Sequence, residues 1–574
     1  MTADVAEHGT PGSSNPAWLR SYPGNVDWRQ HFEPQPLYTL IDRAAANYGT
    51  NTATNFLGKT MSYAELNQRV ERIAAGLQRH GVRKGTKVGL FLPNSPTFIV
   101  YYFAVLKVGG VVVNYNPLYT VDELSFQVAD SETELMVTLD LKLLFDKVEE
   151  LLASGVLKQA IVASFTGLLP GTKSVLFKLF KGKDLAHPQA SKMRDKILFE
   201  GQIAADHGPR SPVLIDPLTD LAVLQYTGGT TGTPKGAMLT HANVYVNVQQ
   251  VLSWAPDLID GGERVMGVLP FFHVFAMTVV MNFGVAKAAE IIIMPRFVLD
   301  DGLKLIHQTK PTIMPGVPTL FNALINHPKI KSFDLSSLKF CLSGGAPLPI
   351  EVKQKFEALT GCKVVEGYGL SETSPVATCN PLDGPAVPGK IGVPMPQTFI
   401  SLRSLDDAEV EVPQGEQGEL CISGPQVMKG YWKRPDESAA VFTSDGFLRT
   451  GDVARMDEHG MFAIEDRIKD LIICSGYNVY PRQIEERIYE HPAVEEVTVI
   501  GIKDAYRGEA PKAFIKLRDG ATATADDIMA HLAKKLSKIE LPAEIEFRDA
   551  LPKTMIGKLS KKELKQEEAA RQGK

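Results

Sequence analysis

From Leu221 onward, short β-branched or apolar runs alternate with helical stretches, and this rhythm restricts the fold more than any other feature of the chain. Strand-like runs cover 221–226, 265–269, 290–294, 312–317, 339–342 and 363–365, with helical spacing between them, as over 349–360. Such βαβ units build a mostly parallel sheet, because a parallel return needs a long crossover and a helix supplies one. The earlier region repeats the pattern, with an amphipathic helix over 63–80 and a strand over 87–92, so two such layers are expected. Beyond Pro375 the chain changes to Gly and Pro punctuation with short strands such as 419–423, as in a small antiparallel barrel or sheet.

A second boundary falls near 466–469. After it, a helix opening at Pro481, strands at 494–501, 512–517 and 544–547, and a helix over 526–536 make a unit of about 100 residues, enough for its own core. The expected fold class is therefore α/β. A large N-terminal domain, 1–468, holds two parallel-sheet α/β layers plus a small β-barrel, and a small mobile α+β C-terminal domain, 469–574, follows it.

The chain has 574 residues, is 44% hydrophobic and 22% charged, and carries a formal net charge of -5. This composition excludes disordered, collagenous and coiled-coil chains, and it leaves no basic surplus for nucleic acid, so no nucleic-acid partner is expected. The five cysteines are scattered without metal-ligand spacing, which argues against a disulfide framework or a zinc site and for a reducing, cytoplasmic compartment. No basic start followed by an apolar stretch marks a secretory signal. The longest membrane-like window, 274–294, is interrupted by Asn282, Lys287 and Glu290, so no transmembrane span is expected.

Residues 154–196 read as an insertion. Across 173–196 there are seven basic and two acidic residues, interleaved with Val175, Leu176, Phe177, Leu179 and Phe180. Two readings stand open: an amphipathic basic helix that lies on an anionic membrane, or a solvated helical excursion packed on the large domain.

The strongest motif is Tyr226-Thr-Gly-Gly-Thr-Thr-Gly-Thr-Pro-Lys235-Gly, directly after a strand-like run. Its four glycines allow close backbone approach, its four threonines offer hydroxyls, and Lys235 adds positive charge, a set suited to an oligophosphate. It is not a Walker loop, because Lys235 follows Pro234 and precedes Gly236. The motif resembles the phosphate loop of the adenylate-forming superfamily of acyl-CoA synthetases, luciferases and nonribosomal-peptide adenylation domains. Six further segments match that family in its order: Ser343-Gly-Gly-Ala-Pro-Leu348, Glu366-Gly-Tyr-Gly-Leu-Ser-Glu-Thr373, Arg449-Thr-Gly-Asp452, Glu465-Asp-Arg-Ile-Lys-Asp470, Gly476-Tyr-Asn-Val-Tyr-Pro481 and Leu551-Pro-Lys-Thr-Met-Ile-Gly-Lys558.

The resemblance implies ATP/AMP contacts from Thr227, Gly228, Gly229, Thr230, Thr231, Gly232 and Lys235, and a Mg²⁺ held by Thr227 and Glu372, both hard oxygen ligands. It places the adenine against Gly344, Gly345, Ala346, Pro347, Glu366, Gly367, Tyr368 and Gly369, with Ser371 beside it. Asp452 then accepts the ribose hydroxyls through two carboxylate oxygens, Arg467 contacts the nucleotide, and Lys469 is the hinge, where many relatives carry Asp. Lys558 is the expected catalytic cation, able to reach between acyl oxygen and α-phosphate. Glu372 and His273 complete the catalytic set, though a core histidine among phenylalanines is an equal reading of His273. Gly476 and Tyr477 are expected at a CoA tunnel.

The implied reaction is ATP-dependent activation of a carboxylic acid through an acyl-adenylate, followed by thioester formation with CoA as co-substrate. The apolar FFHVFAMTVVM segment suits a hydrophobic acyl channel, and the basic-apolar insertion and overall layout resemble bacterial long-chain fatty-acid CoA ligases. A fatty acyl-AMP ligase, a medium-chain or aryl-CoA ligase, and a nucleotide-binding membrane scaffold are the alternatives. A homodimer and the acyl chain length are left open.

Overall fold

The computed structural model describes residues 16–572 apart from 206–207, 228–232, 383–386, 388, 476, 505 and 555–556. Among these, a seven-stranded sheet runs in the spatial order Ile197–Phe199, Gln159–Ala163, Leu135–Leu139, Lys87–Leu90, Val111–Asn114, Leu221–Thr227 and Lys235–Thr240. All its pairings are parallel except the last, where Lys235–Thr240 turns back along Leu221–Thr227. Two four-stranded sheets form the second layer. One is built from Arg264–Gly267, Glu290–Ile293, Thr52–Phe56 and Lys59–Ser62, the other from Phe340–Gly344, Lys363–Gly369, Val376–Cys379 and Val393–Pro394.

Two layers are present, but the chain deals its strands between them. Thr52–Phe56 pairs in parallel with Glu290–Ile293, while Leu221–Thr227 joins the earlier strands beside Val111–Asn114. The strand expected over 312–317 is absent as a ladder. Ile313 and Gly316 make only isolated parallel bridges, Ile313 to both Val265 and Phe340, and so join the two four-stranded sheets. The physical reason lies in Pro311, Pro315 and Pro318, which have no N–H to donate and prevent a continuous ladder.

The helices read as their sequence requires. Tyr63–Arg79 starts at a capping box in which Ser62 and Glu65 satisfy each other's backbone donors, and it buries Leu66, Val70, Ile73 and Leu77 along one stripe. Pro96–Lys107 is apolar all round and buried at every residue. The former membrane-like window is instead core: a short helix Val274–Ala276, a π-helical turn Met277–Asn282, a helix Phe283–Ala286 and the strand Glu290–Ile293. No helix among the described residues is long and apolar enough to cross a membrane.

The expected insertion also changes shape. Gln159–Ala163, inside 154–196, is an integral strand of the seven-stranded sheet, so the excursion begins after it. It carries the helix Gly171–Lys181, none of whose residues is buried. Beyond the second layer, Phe399–Arg403, Gln417–Ser423, Leu448–Met456 and Phe462–Arg467 form an antiparallel sheet. Of the antiparallel barrel or sheet expected here, the ladder is the sheet, open among the described residues.

The C-terminal strands, from Ile472 to Phe547, form one five-stranded sheet over a core of their own that includes Ile484, Ile488, Val497 and Ile515. This unit docks on the large one through polar contacts. Asp466 accepts from the Arg482 amide at 2.9 Å, Tyr480 donates to Gln417 at 2.8 Å, and Thr319 donates to the Gly557 carbonyl at 2.8 Å. All five cysteines are buried and free.

Candidate active site

The expected phosphate loop starts where Leu221–Thr227 ends and finishes where Lys235–Thr240 begins. These strands are antiparallel neighbours with Thr227 opposite Lys235. Gly228, Gly229, Thr230, Thr231 and Gly232 lie outside the described residues. The strand end is secured by Asp130, which accepts from the Tyr226 hydroxyl and from Arg434, each at 2.6 Å.

Lys235 forms an ion pair with Glu437 and stands 5.2 Å from the centroid of the Tyr431 ring. The Tyr431 hydroxyl in turn donates to Glu372 Oε1 at 2.8 Å. One aromatic side chain thereby links the phosphate-loop lysine to the carboxylate of the Ser371–Thr373 turn. Sequence reasoning missed Tyr431 and Glu437. Their segment, Gly430 to Ala440, has no signature of its own, and its meaning comes only from contact with residues far away in the chain.

The glycine-rich ends of two parallel strands lie side by side, Gly344 opposite Gly367. Gly344, Gly345, Ala346 and Pro347 make the turn that leaves the first strand. Glu366, Gly367, Tyr368 and Gly369 finish the second, with the side chains of Glu366 and Tyr368 on one face by strand alternation. Gly345 has φ +83°, and a Cβ there would stand 2.6 Å from Lys558 Cε, so glycine is what admits the lysine. Glu366 is buried, and that burial pushes its carboxyl up to about 7.

Asp452 and Arg467 are cross-strand partners, and their side chains pair at 3.1 Å. The other Asp452 oxygen accepts from the Tyr368 hydroxyl at 2.6 Å, which holds the ring in place. Lys469 sits in the turn Ile468–Asp470, its ammonium pushed below its usual range by burial and by Arg467.

Lys558 is held by its own loop, where its amide donates to the Thr554 hydroxyl at 3.1 Å. Burial, reinforced by the Arg467 charge and opposed by Asp452, lowers its ammonium to about 8. His273 feels that ammonium too: burial first and Lys558 second push the imidazole down to about 3, so it is neutral. Its Nδ1 accepts from the Phe275 amide at 3.3 Å, which leaves Nε2–H as a donor.

The structure therefore gathers His273, Gly345, Tyr368, Asp452, Arg467 and Lys558 from six motifs into one cleft between the two units. Tyr477 is not gathered. It is 65% exposed on a hairpin of the C-terminal sheet, and Gly476 lies outside the described residues.

A pH profile follows from the lowered ammonium. A lysine with a depressed pKa is charged below about pH 8 and neutral above it. The kcat/KM for ATP in pyrophosphate release, which reports free-enzyme groups, is expected to fall as pH rises through that value. A rate that stays level until the ordinary lysine range near ~10.4 would contradict the assignment.

Comparison with known proteins defines the class. A family model described as AMP-binding enzyme matches residues 41–432, and one described as AMP-binding enzyme C-terminal domain matches 483–558. A long-chain-fatty-acid–CoA ligase of Bacillus subtilis (strain 168) is 43% identical over 556 residues, 97% of this chain and 98% of that protein. A feruloyl-CoA synthase of an Amycolatopsis species is 35% identical over 515 residues, 90% of this chain and 95% of the relative. Among solved structures, ATP-bound MatB from Rhodopseudomonas palustris superposes with a TM-score of 0.80 at 29% identity, covering 93% of this chain and 99% of that one.

The architecture is thus that of the adenylate-forming enzymes, a large domain with a small C-terminal one. The chain belongs to the AMP-binding enzyme family.

Proposed function

We propose that this chain is an AMP-forming long-chain fatty-acid–CoA ligase, and the observation that carries the reading is Lys558 seated against Gly345 beside the Tyr368–Asp452–Arg467 cluster. A carboxylate resists thiol attack because oxide is an impossible leaving group, so it must first be activated. Its oxygen attacks the α-phosphorus of ATP, the bond to pyrophosphate breaks, and an acyl-adenylate forms. The CoA thiolate then attacks the carbonyl and AMP leaves with the electron pair.

Each residue has a task in this sequence. The Tyr368 ring offers a flat face to adenine, and Asp452 accepts the ribose hydroxyls. Neutral His273 presents Nε2–H to the acyl carboxylate, and Lys558 neutralises charge growing between that oxygen and the α-phosphate. The Thr227 hydroxyl and Glu372 carboxylate are the groups that would hold Mg²⁺. Their chemistry fits a hard cation, and among the described residues no group of three or more His, Cys, Asp or Glu is arranged as a complete metal site. Such an ion supplies charge neutralisation for the phosphates that accompany it. The small domain turns about Lys469 for the second step, withdrawing Lys558 and bringing Gly476 and Tyr477 to the CoA tunnel.

The test is pyrophosphate release from MgATP with palmitate, octanoate and 4-hydroxybenzoate, with and without CoA. The reading expects release with palmitate and palmitoyl-CoA once CoA is added. Release without thioester would favour an acyl-AMP ligase, and preference for the aromatic acid would favour an aryl-CoA ligase.

Membrane contact on the cytoplasmic face belongs to the same reading, since a long-chain acid partitions into lipid. On the helix Gly171–Lys181, Leu179 and Phe180 are 72% and 75% exposed, and Val175 and Leu176 more than half exposed. Phe177 packs inward on Phe165, with ring centroids 5.0 Å apart. An apolar face set among lysines suits an anionic bilayer. Changing Lys178, Lys181 and Lys183 to glutamine is expected to weaken binding to phosphatidylglycerol vesicles at least tenfold, with octanoate turnover unchanged. Vesicle sedimentation measures this, and undiminished binding rejects the surface.

A further inference from the structure

Behind the glycine ends of Phe340–Gly344 and Lys363–Gly369 lies a narrow apolar cavity. Strand alternation puts Leu342 on the face of Gly344 and Val365 on the face of Gly367, and both Leu342 and Val365 line the cavity. Val279 of the π-helical turn that follows His273 lines it as well. The cavity thus continues the strand faces below the Gly344 and Gly367 ends, and its lining is almost wholly apolar. On the acyl-ligase reading, on which this inference rests, it is where the hydrocarbon tail of the substrate is buried.

Trp254, at the end of the helix His241–Trp254, is the largest side chain on the wall. Two contacts fix its ring. Its Nε1–H donates to the Asn380 carbonyl at 2.9 Å, and Tyr22 meets it edge-on with centroids 5.4 Å apart at 89°. Neither partner is loose. The Asn380 amide donates to the Glu366 carbonyl at 3.0 Å, and its side chain donates to the Lys390 carbonyl at 2.6 Å. Tyr22 belongs to an N-terminal strap whose Trp18 and Trp28 pack on each other and on Phe462 and Phe399. Trp254 is 4% exposed and stands between the cavity on one side and Tyr22 on the other. Unlike methionine, which reshapes to fit a guest, this ring is a stiff partition.

We propose that Trp254 limits the length of the acyl chain that this enzyme accepts, as a partition braced by Asn380 and by Tyr22 of the N-terminal strap.

The test uses the full-length enzyme and measures kcat/KM for pyrophosphate release across the saturated acids from octanoate to arachidate. Trp254→Ala is expected to move the optimum toward longer acids by at least one even-numbered homologue, with about a fourfold gain for each methylene newly buried. Trp254→Phe, which keeps a ring, is expected to hold the optimum near that of the unaltered enzyme. Val251→Phe, which adds bulk to another part of the wall, is expected to move it toward shorter acids, and this variant carries the test if Trp254→Ala melts below assay temperature. An unchanged optimum in a folded, active Trp254→Ala enzyme overturns the proposal alone, and where that variant does not fold an unchanged optimum in an active Val251→Phe enzyme does so. Absence of pyrophosphate release by the unaltered enzyme with every acid overturns the ligase reading, and this proposal with it.

Discussion

Replacing Lys558 with alanine is expected to lower the rate of pyrophosphate release about 10²- to 10³-fold, the effect of deleting one preorganised charge stabiliser from a water-poor site. The ammonium stands against Gly345 in the cleft, close enough to lower the pKa of His273. On the proposed mechanism, its loss would leave the His273 Nε2–H to face the acyl oxygen without the cation. Thioester formation from supplied acyl-adenylate is expected to keep most of its rate, because the attacking thiolate and the leaving AMP do not need this cation between them. Single-turnover measurements of the two halves decide the matter. Equal losses in both would mean that Lys558 holds the fold of the cleft and does not act on the first transfer.

Asp452→Ala is expected to raise the KM for ATP by two orders of magnitude or more. The carboxylate is buried, with a side chain 4% exposed, and both of its oxygens are engaged, one by Tyr368 and one by Arg467. Arg467 is 46% exposed and can turn to solvent, so the cost falls on the Tyr368 hydroxyl, left without its acceptor at about 1–3 kcal/mol, and on the nucleotide contacts that the carboxylate is proposed to make. On the proposed reading two functions would vanish together, the acceptor for the ribose hydroxyls and the anchor of the Tyr368 ring. Tyr368→Phe separates them, since it keeps the ring and loses only the hydroxyl, and it is expected to raise the KM by no more than tenfold. Isothermal titration with ATP, beside thermal melting of each variant, checks this. Equal weakening by both substitutions would place the whole effect in the tyrosine hydroxyl.

The parts of this site that are legible in the sequence are those whose chemistry is local. The loop from Thr227 to Lys235, the Gly344–Gly345 turn and the Gly557-Lys558 pair each bring their conformational and chemical requirements within a few residues. The antiparallel register that sets Thr227 opposite Lys235 follows from the same short segment. What escapes is whatever depends on a distant partner. Tyr431 becomes meaningful only through Glu372 and Lys235, and Trp254 only through Asn380 and Tyr22. The strand-like look of 312–317 reflects its apolar side chains correctly, while its prolines govern the hydrogen bonds and win. The exchange of Thr52–Phe56 and Leu221–Thr227 between layers was out of reach for a similar reason. Apolar periodicity marks a strand without saying which edge will receive it.

Among the described residues of the loop that carries Lys558, the hydrogen bond to the large domain comes from the Thr319 hydroxyl to the carbonyl of Gly557. A neutral hydrogen bond of this kind is worth about 0.5–1.5 kcal/mol net, roughly a two- to tenfold bias in an equilibrium. A fastening so light leaves the lysine easy to dislodge once pyrophosphate departs and the local charge it answered is gone. The chemistry can thus time its own release, and the same economy exposes this contact to drift: a neutral change at Thr319 would retune how long the cation lingers without touching any group that meets the substrate.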